Sequence, residues 1–167
     1  MRLRTEAEEW LAAAGIDQWR APGFRERALA KWHADIEAGR TWVAVDNTDE
    51  VLATVTLAPA DRDFWTDDDI PESALYVAKL ITARSTGGKH LGGRLLDWVG
   101  SVAREQGLSW VRLDCWRANT QLQKYYFAEG FTHVRTEAPE HRLSGWMAQR
   151  PASVVMHPSD RLQTLRR

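Results

Sequence analysis

The feature that most constrains the fold is a glycine-rich segment set between a buried strand pattern and an amphipathic helix pattern. Residues 75–82 form a nearly continuous apolar run, which is typical of a central strand. The segment Gly87-Gly88-Lys89-His90-Leu91-Gly92-Gly93 follows, and apolar residues then recur at helical spacing over residues 91–103, with Gly107 as the stop. This order predicts a strand, a tight loop and the N-terminus of a long helix.

A glycine-rich loop before a helix is suited to holding an anion. Glycine lets the backbone approach a ligand closely, and the helix N-terminus presents unpaired N–H groups and the positive end of its dipole. Lys89 adds a positive charge. The loop does not match a nucleotide-kinase phosphate loop, because Ala83 stands where the first glycine belongs and His90 where a hydroxyl residue belongs. The spacing of a dinucleotide-binding loop is also absent, and a glycine linker without a ligand is the alternative.

Composition narrows the class of protein. The 167 residues fit one compact domain, and the net charge of −1 gives no preference for nucleic acid or an anionic membrane. A single cysteine, Cys115, excludes an internal disulfide and is typical of a reducing compartment. No stretch approaches the roughly 18 apolar residues of a membrane span. We therefore expect a cytoplasmic protein that binds neither nucleic acid nor membrane.

The rest of the chain alternates between helix and strand patterns. A capping box at Thr5 and Glu8 predicts the start of a first helix that Gly15 ends, and a second helix is predicted over residues 24–38. Strands are predicted at residues 41–45, 51–57, 110–114, 131–136 and 145–149, and a helix at 119–129. We expect one α/β domain with a mixed sheet over residues 1–150, followed by a polar, poorly ordered tail over residues 151–167.

Two segments resemble the motifs of GCN5-related N-acetyltransferases (GNAT). Residues 78–82, AKLIT, followed by the glycine loop and Leu95-Leu96, resemble the family's acetyl-CoA-binding motif. Residues 119–131, NTQLQKYYFAEGF, resemble its second motif, in which an Asn is followed by an apolar residue, a Tyr pair and a terminal Gly-Phe. The two motifs stand in the family's order, and the resemblance covers residues 42–149.

The resemblance implies an N-acetyltransferase that transfers the acetyl group of acetyl-CoA to a primary amine of a small-molecule or peptide acceptor, without a metal. It implies a mostly antiparallel mixed sheet with helices on both faces and two splayed central strands. Free backbone groups of Leu80, Ile81 and Thr82 would bind the pantetheine and the acetyl oxygen. The other implied cofactor-binding residues are Gly87, Gly88, Lys89, His90, Leu91, Gly92, Gly93 and Asn119.

The resemblance also implies roles in the chemistry. Tyr126 matches the family's general acid, which would protonate the departing thiolate, and simple packing of helix against sheet is the alternative. Glu72, just before the central strand, is the first candidate for the general base, with Asp63 and Asp114 as alternatives.

Three departures from the family pattern stand out. Gly87 occupies the place of a Gln or Arg, and His90 occupies the place of the middle glycine. Nothing before Thr5 has a strand pattern, whereas the family opens with a strand. We expect this opening strand to be missing, which leaves a sheet edge that a second subunit could cover. The departures also leave open a non-catalytic CoA-binding or sensing domain of the same fold.

Overall fold

The computed structural model describes residues 2–16, 23–140, 142–158 and 165–167. These residues form four α-helices, namely α1 (Arg2–Ala13), α2 (Phe24–Glu37), α3 (Leu91–Glu105) and α4 (Thr120–Ala128). The strands are β1 (Thr41–Val45), β2 (Val51–Ala58), β3 (Ala74–Thr82), β4 (Trp110–Trp116), β5 (Thr132–Thr136), β6 (Ser144–Pro151) and β7 (Leu165–Arg166). In the described part of the chain, no helix is long and apolar enough to cross a membrane.

The strands form a mixed, seven-stranded sheet in the order β5-β6-β4-β3-β2-β1-β7. The β1–β2, β1–β7, β4–β6 and β5–β6 pairs are antiparallel, and β3 and β4 are parallel. The α/β class with a mixed, mostly antiparallel sheet was therefore predicted correctly. Strands β4 and β6 are each longer than predicted, because their antiparallel register continues from Trp110 opposite Pro151 to Trp116 opposite Ser144.

The described chain consists of two compact units, and β3 contributes to both. The first unit contains the described residues before Leu57, together with Lys79–Gly92 and residues 165–167. Its core joins α1 and α2 to the end of β3 and the residue after it. The buried core residues are Leu3, Trp32, Ile81 and Ala83, with Ala7 and Val51 packed against them.

The second unit contains Leu57–Ala78 and the described residues from Gly93 to Pro158. Here β3 begins in register with β4, Ala74 to Tyr76 lying opposite Trp110 to Arg112. The core of this unit lies beside that register and contains Phe64, Trp65, Ala74, Tyr76 and Met147.

The predicted capping box at Thr5 and Glu8 is wrong, because α1 begins at Arg2. Ion pairs one turn apart support the earlier start, Arg2 to Glu6 at 2.8 Å and Arg4 to Glu8 at 2.7 Å. The Glu8 carboxylate is occupied by arginine and therefore does not cap a backbone N–H. The described residues begin at Arg2, within α1, and no strand precedes this helix among them.

The described parts of the C-terminal segment are bound to the rest of the protein, so the expectation of a poorly ordered tail is wrong for them. Ala152 is buried, and its N–H donates to the Ser109 carbonyl at 2.8 Å. The N–H groups of Met156 and His157 donate to the Asp97 carboxylate. Residues 165–166 form β7, which covers the edge of β1 where a second subunit was considered. Residues 159–164 of the predicted tail lie outside the described residues.

Candidate functional site

The glycine loop leaves β3 through a short 3₁₀ turn, Arg84–Thr86. The Thr86 hydroxyl donates to the Ala83 carbonyl at 2.6 Å, and the N–H groups of Gly87 and Lys89 donate to carbonyls within the same loop at 3.1 Å. These local bonds fix the loop without a contribution from a ligand. The N–H groups of Leu91, Gly92 and Gly93 belong to the first turn of α3 and therefore have no carbonyl partners within the helix.

Two residues of this loop have left-handed backbone conformations. The φ angle is 75° at Gly88 and 52° at His90. Glycine adopts this conformation without penalty, whereas a residue with a Cβ does so rarely. A glycine is favoured at the position of His90 because the backbone there is left-handed. This chain adopts the same left-handed backbone with a histidine. Residues 87–90 are exposed, so the loop presents its backbone to solvent directly before the positively polarised N-terminus of α3.

Gly93 lies in a different environment from the exposed glycines. It is buried, and a Cβ built on it would meet Nε2 of His157 and Oε2 of Glu129, whose side chains are hydrogen-bonded at 2.8 Å. A second glycine on α3, Gly100, would place a Cβ 2.9 Å from the Ala152 carbonyl oxygen. The C-terminal segment thus packs directly on α3 where glycines leave room. The sequence suggested a phosphate contact for Gly93 and gave no sign of this packing.

The backbone of residues 80–82 follows a break in the extended geometry of β3. Lys79 has a φ angle of 52°, although the strand continues to Thr82. The Ile81 side chain is buried against Leu3 and Trp32, and the N–H of Ala83 donates to the Leu52 carbonyl at 2.7 Å. The end of β3 is therefore fixed at Ile81 and Ala83, within and directly after the residues that the sequence assigned to pantetheine.

Asn119 directly precedes α4, and Tyr126 lies within this helix, which follows β4. The Asn119 side-chain oxygen accepts the Leu122 N–H at 3.0 Å and caps the helix, as predicted. Tyr126 is buried, and its ring lies 5.6 Å from that of Phe131. Burial, together with Cys115, Tyr125 and Asp114 beside it, raises the pKa of Tyr126 well above 10. The phenol is therefore protonated at neutral pH.

The structure does not bring the two predicted catalytic residues together. Glu72 is exposed in the 3₁₀ turn Pro71–Ser73, and the Ser109 N–H donates to the Ser73 carbonyl at 2.9 Å, at the beginning of β4. Tyr126 lies near Asp114 and Cys115, toward the end of β4. Four or five strand residues at about 3.3 Å each separate these positions by roughly 13–17 Å. Glu72 and Tyr126 thus lie toward opposite ends of β4, whereas the carboxylate of the alternative base Asp114 acts electrostatically on Tyr126.

The loop before β3 is held by arginines that sequence reasoning missed. Arg135 donates to both carboxylate oxygens of Asp69, at 2.7 and 2.6 Å, and these bonds lower the pKa of Asp69 to about 2. The Arg112 guanidinium lies 4.8 Å from the centre of the buried Trp65 ring and donates to the Asp69 carbonyl at 2.8 Å. Asp69 and Trp65 therefore stabilise their own loop. The arginines that contact Asp69 lie 43 and 66 positions away in the chain, so no local sequence pattern could have predicted these contacts.

Comparison with known proteins defines the class to which this fold and loop belong. The family model described as "Acetyltransferase (GNAT) family" matches residues 4–131. The chain therefore belongs to the GNAT acetyltransferase family and is an acetyl-CoA-dependent acyltransferase, as the sequence predicts.

Individual relatives agree with this assignment. The chain is 29% identical over 145 residues to the uncharacterized N-acetyltransferase YesJ of Bacillus subtilis, a match that covers 84% of this chain and 79% of YesJ. A GNAT acetyltransferase structure from Listeria monocytogenes is similar with a TM-score of 0.69 at 20% identity, over 90% of this chain and 86% of that one. A Bacillus anthracis acetyltransferase in complex with acetyl coenzyme A is similar with a TM-score of 0.52 at 12% identity, over 66% and 61% of the chains. These structural likenesses establish the fold.

Proposed function

We propose that this enzyme transfers the acetyl group of acetyl-CoA to a primary amine and holds the coenzyme pyrophosphate at residues 87–93. The observation that carries the proposal is the exposed glycine loop, with left-handed backbone at Gly88 and His90, directly before the first turn of α3. Such a turn directs several N–H groups and the helix dipole at one anion. Lys89 adds charge at its rim. Gly93 contributes its N–H only, since its Cα lies against His157 and Glu129.

The pantetheine and the thioester carbonyl are assigned to the backbone of Leu80, Ile81 and Thr82. Negative charge develops on the carbonyl oxygen during attack by the amine, and a fixed backbone N–H stabilises it without reorganisation. Asn119 contributes by fixing the first turn of α4, and through that helix it sets the position of Tyr126.

In the proposed reaction the amine nitrogen attacks the carbonyl carbon and the carbon–sulfur bond breaks. The Tyr126 hydroxyl gives its proton to the departing thiolate, and the attacking nitrogen loses its proton to a carboxylate. We place this base at Asp114, with Glu72 as the second choice, because the Asp114 charge acts on Tyr126 and Glu72 lies at the other end of β4. Solvent then restores both groups, and the products are an acetylated amine and the free thiol.

A ligand panel followed by an acceptor screen tests the proposal. Acetyl-CoA at 100 times its Kd should stabilise the fold by about 2.7 kcal/mol, with ATP and NAD inert. Release of coenzyme A should then require an amine, measured across a library of primary amines with matched alcohols as controls. Stabilisation by ATP alone would reject the cofactor site. Binding of acetyl-CoA without turnover on any amine would support a sensing domain of the same fold.

A further inference from the structure

A backbone irregularity in the middle of β3 is supported by side-chain contacts. Lys79 has a φ angle of 52° between strand residues on both sides. This left-handed conformation is unfavourable for a residue with a Cβ and redirects the peptide groups that follow it. Such strain persists only where surrounding contacts hold it, and it occurs frequently at functional sites.

The contact that holds Lys79 is a buried carboxylate on α2. Lys79 Nζ donates to Asp35 Oδ2, and the Asp35 side chain is 4% exposed. The other oxygen of Asp35 accepts from Arg40, at 2.9 Å from Nε and 2.8 Å from Nη2. Burial pushes the pKa of Asp35 upward, but the hydrogen bonds from Lys79 and Arg40 outweigh it and lower that pKa. Asp35 is therefore charged, and removing one partner of such a pair leaves the other charge buried.

The chain beyond Lys79 is fixed at its far side as well. Ile81 and Ala83 pack in the core formed with Leu3 and Trp32. The backbone of residues 80–82 is thus held by the Lys79–Asp35 ion pair before it and by the core contacts of Ile81 and Ala83. Arg40 contacts the same carboxylate without contacting β3 through any hydrogen bond of the described residues, so it provides a matched control.

We propose that Asp35 is a positioning residue for acetyl-CoA. Through the Lys79 side chain it holds the left-handed backbone of Lys79, and thereby orients the peptide groups of residues 80–82 toward the pantetheine and the acetyl oxygen. This inference rests on the proposed function, in which those peptide groups bind the coenzyme.

The experiment compares acetyl-CoA affinity and kinetics in five variants of the full chain. Lys79→Met and Asp35→Asn should weaken acetyl-CoA binding, and raise its KM, by about tenfold, which corresponds to about 1.4 kcal/mol. Lys79→Gly should recover most of this loss, because glycine adopts the left-handed conformation without support. Lys79→Arg should behave like wild type, since its guanidinium reaches the same carboxylate. Arg40→Met should leave the KM for acetyl-CoA unchanged.

A purely structural role makes a different prediction for glycine. Lys79→Gly removes the same ion pair as Lys79→Met but accepts the left-handed φ angle without strain, so the KM for acetyl-CoA is compared at a temperature where circular dichroism shows both variants to be fully folded. A KM that is better in Lys79→Gly than in Lys79→Met therefore cannot follow from stability. Equal impairment of these two variants would overturn the proposal, as would wild-type affinity in Asp35→Asn, which carries the test if Lys79→Met does not fold.

A loop variant separates this inference from the proposed function. Gly88→Val should weaken acetyl-CoA binding if the loop holds the pyrophosphate, because a β-branched residue does not tolerate the φ angle of 75° at this position. Loss of binding in Gly88→Val with wild-type binding in Lys79→Met would reject the positioning role alone. Wild-type binding in both variants would reject the placement of the coenzyme and the positioning role together.

Discussion

At the residue scale, Tyr126 shows how burial shapes a catalytic group. Burial raises its pKa well above 10, so its proton is retained at neutral pH until a basic atom arrives beside it. Its neighbour Cys115 is buried as well, with a pKa raised to about 12, which argues against a nucleophilic thiol. A thiolate leaving group has an ordinary pKa near 8.5 and is a reasonable leaving group without help. Protonation by the phenol should therefore accelerate departure of the thiolate, but only to a limited extent.

Tyr126→Phe is expected to lower kcat by about 10²-fold while the Kd for acetyl-CoA changes little. The change removes one oxygen and retains the ring that packs against Phe131. The loss should shrink with acyl donors whose thiols are more acidic, because such thiolates need protonation less. Steady-state kinetics under conditions where chemistry is rate-limiting would measure it. A wild-type kcat would assign Tyr126 to packing.

Gly93 offers a second test at the residue scale, because replacing it with alanine should change the free energy of unfolding in the direction opposite to that usual for a helix. An alanine in a helix normally stabilises relative to glycine by about 1 kcal/mol. Gly93→Ala should instead destabilise by about 1–3 kcal/mol, because its methyl group would separate the His157–Glu129 pair. Urea unfolding monitored by circular dichroism gives the free energy.

The matched control for Gly93→Ala is the same change in a His157→Ala background. With the imidazole removed, the Glu129 carboxylate, whose Oε2 also lies against the added Cβ, loses its partner and can turn away, so the cost of the methyl group should fall. Equal costs in the two backgrounds would show that His157 does not limit this position.

At the scale of elements, the C-terminal strand β7 covers the outer edge of β1. The pairs Val43–Arg166 and Ala44–Leu165 bring two residues of β7 against β1. The Arg167 guanidinium lies 4.5 Å from the centre of the Trp42 ring, and Arg166 pairs with Asp49 at 2.8 Å. An uncovered edge strand is a site for pairing with another chain, so these few residues have a protective role.

Deletion of residues 165–167 is expected to lower the melting temperature and to promote dimers or aggregates through the open β1 edge. Calorimetry and size-exclusion chromatography would detect the two effects. Arg166→Ala is the control, because it removes one exposed ion pair of small energetic value and retains the backbone pairing. A truncated protein with the melting temperature and elution volume of wild type would show that β7 does not protect this edge.

At the scale of the whole molecule, acid stability depends on carboxylates with lowered pKa values. The Asp69 carboxyl has a pKa of about 2 in the folded protein and about 3.8 when unfolded. A folded pKa below the unfolded value contributes stability that is complete above about pH 3.8 and is lost as the pH falls through 2. This contribution arises from the paired hydrogen bonds of Arg135.

Asp69→Asn should therefore lower the free energy of unfolding at pH 7, and the difference from wild type should diminish between pH 3.8 and 2. Urea titrations across this range would measure it. Asp67→Asn is the control in the same loop, because Asp67 is 94% exposed and pairs with an exposed arginine. A difference between wild type and Asp69→Asn that stays constant down to pH 2 would contradict the assigned pKa.

The sequence by itself determined the features that depend on neighbours in the chain. The alternation of helix and strand patterns, the helix cap at Asn119 and the glycine loop before α3 all arise from local spacing and backbone preference. These features predicted the fold class correctly, and the resemblance of two segments to GNAT motifs predicted the family correctly.

Tertiary structure decided what depends on residues that are distant in the chain. Asp35 meets Lys79 across 44 positions, Asp69 meets Arg135 across 66, and the C-terminal segment reaches Asp97 across about 60. Tertiary structure also separated Glu72 from Tyr126. Glu72 was chosen because it directly precedes β3 in the chain, but it lies at the beginning of β4, whereas Tyr126 lies toward the end of that strand. Local pattern records which residues a helix or strand contains, whereas packing alone determines which charged groups meet and at what burial.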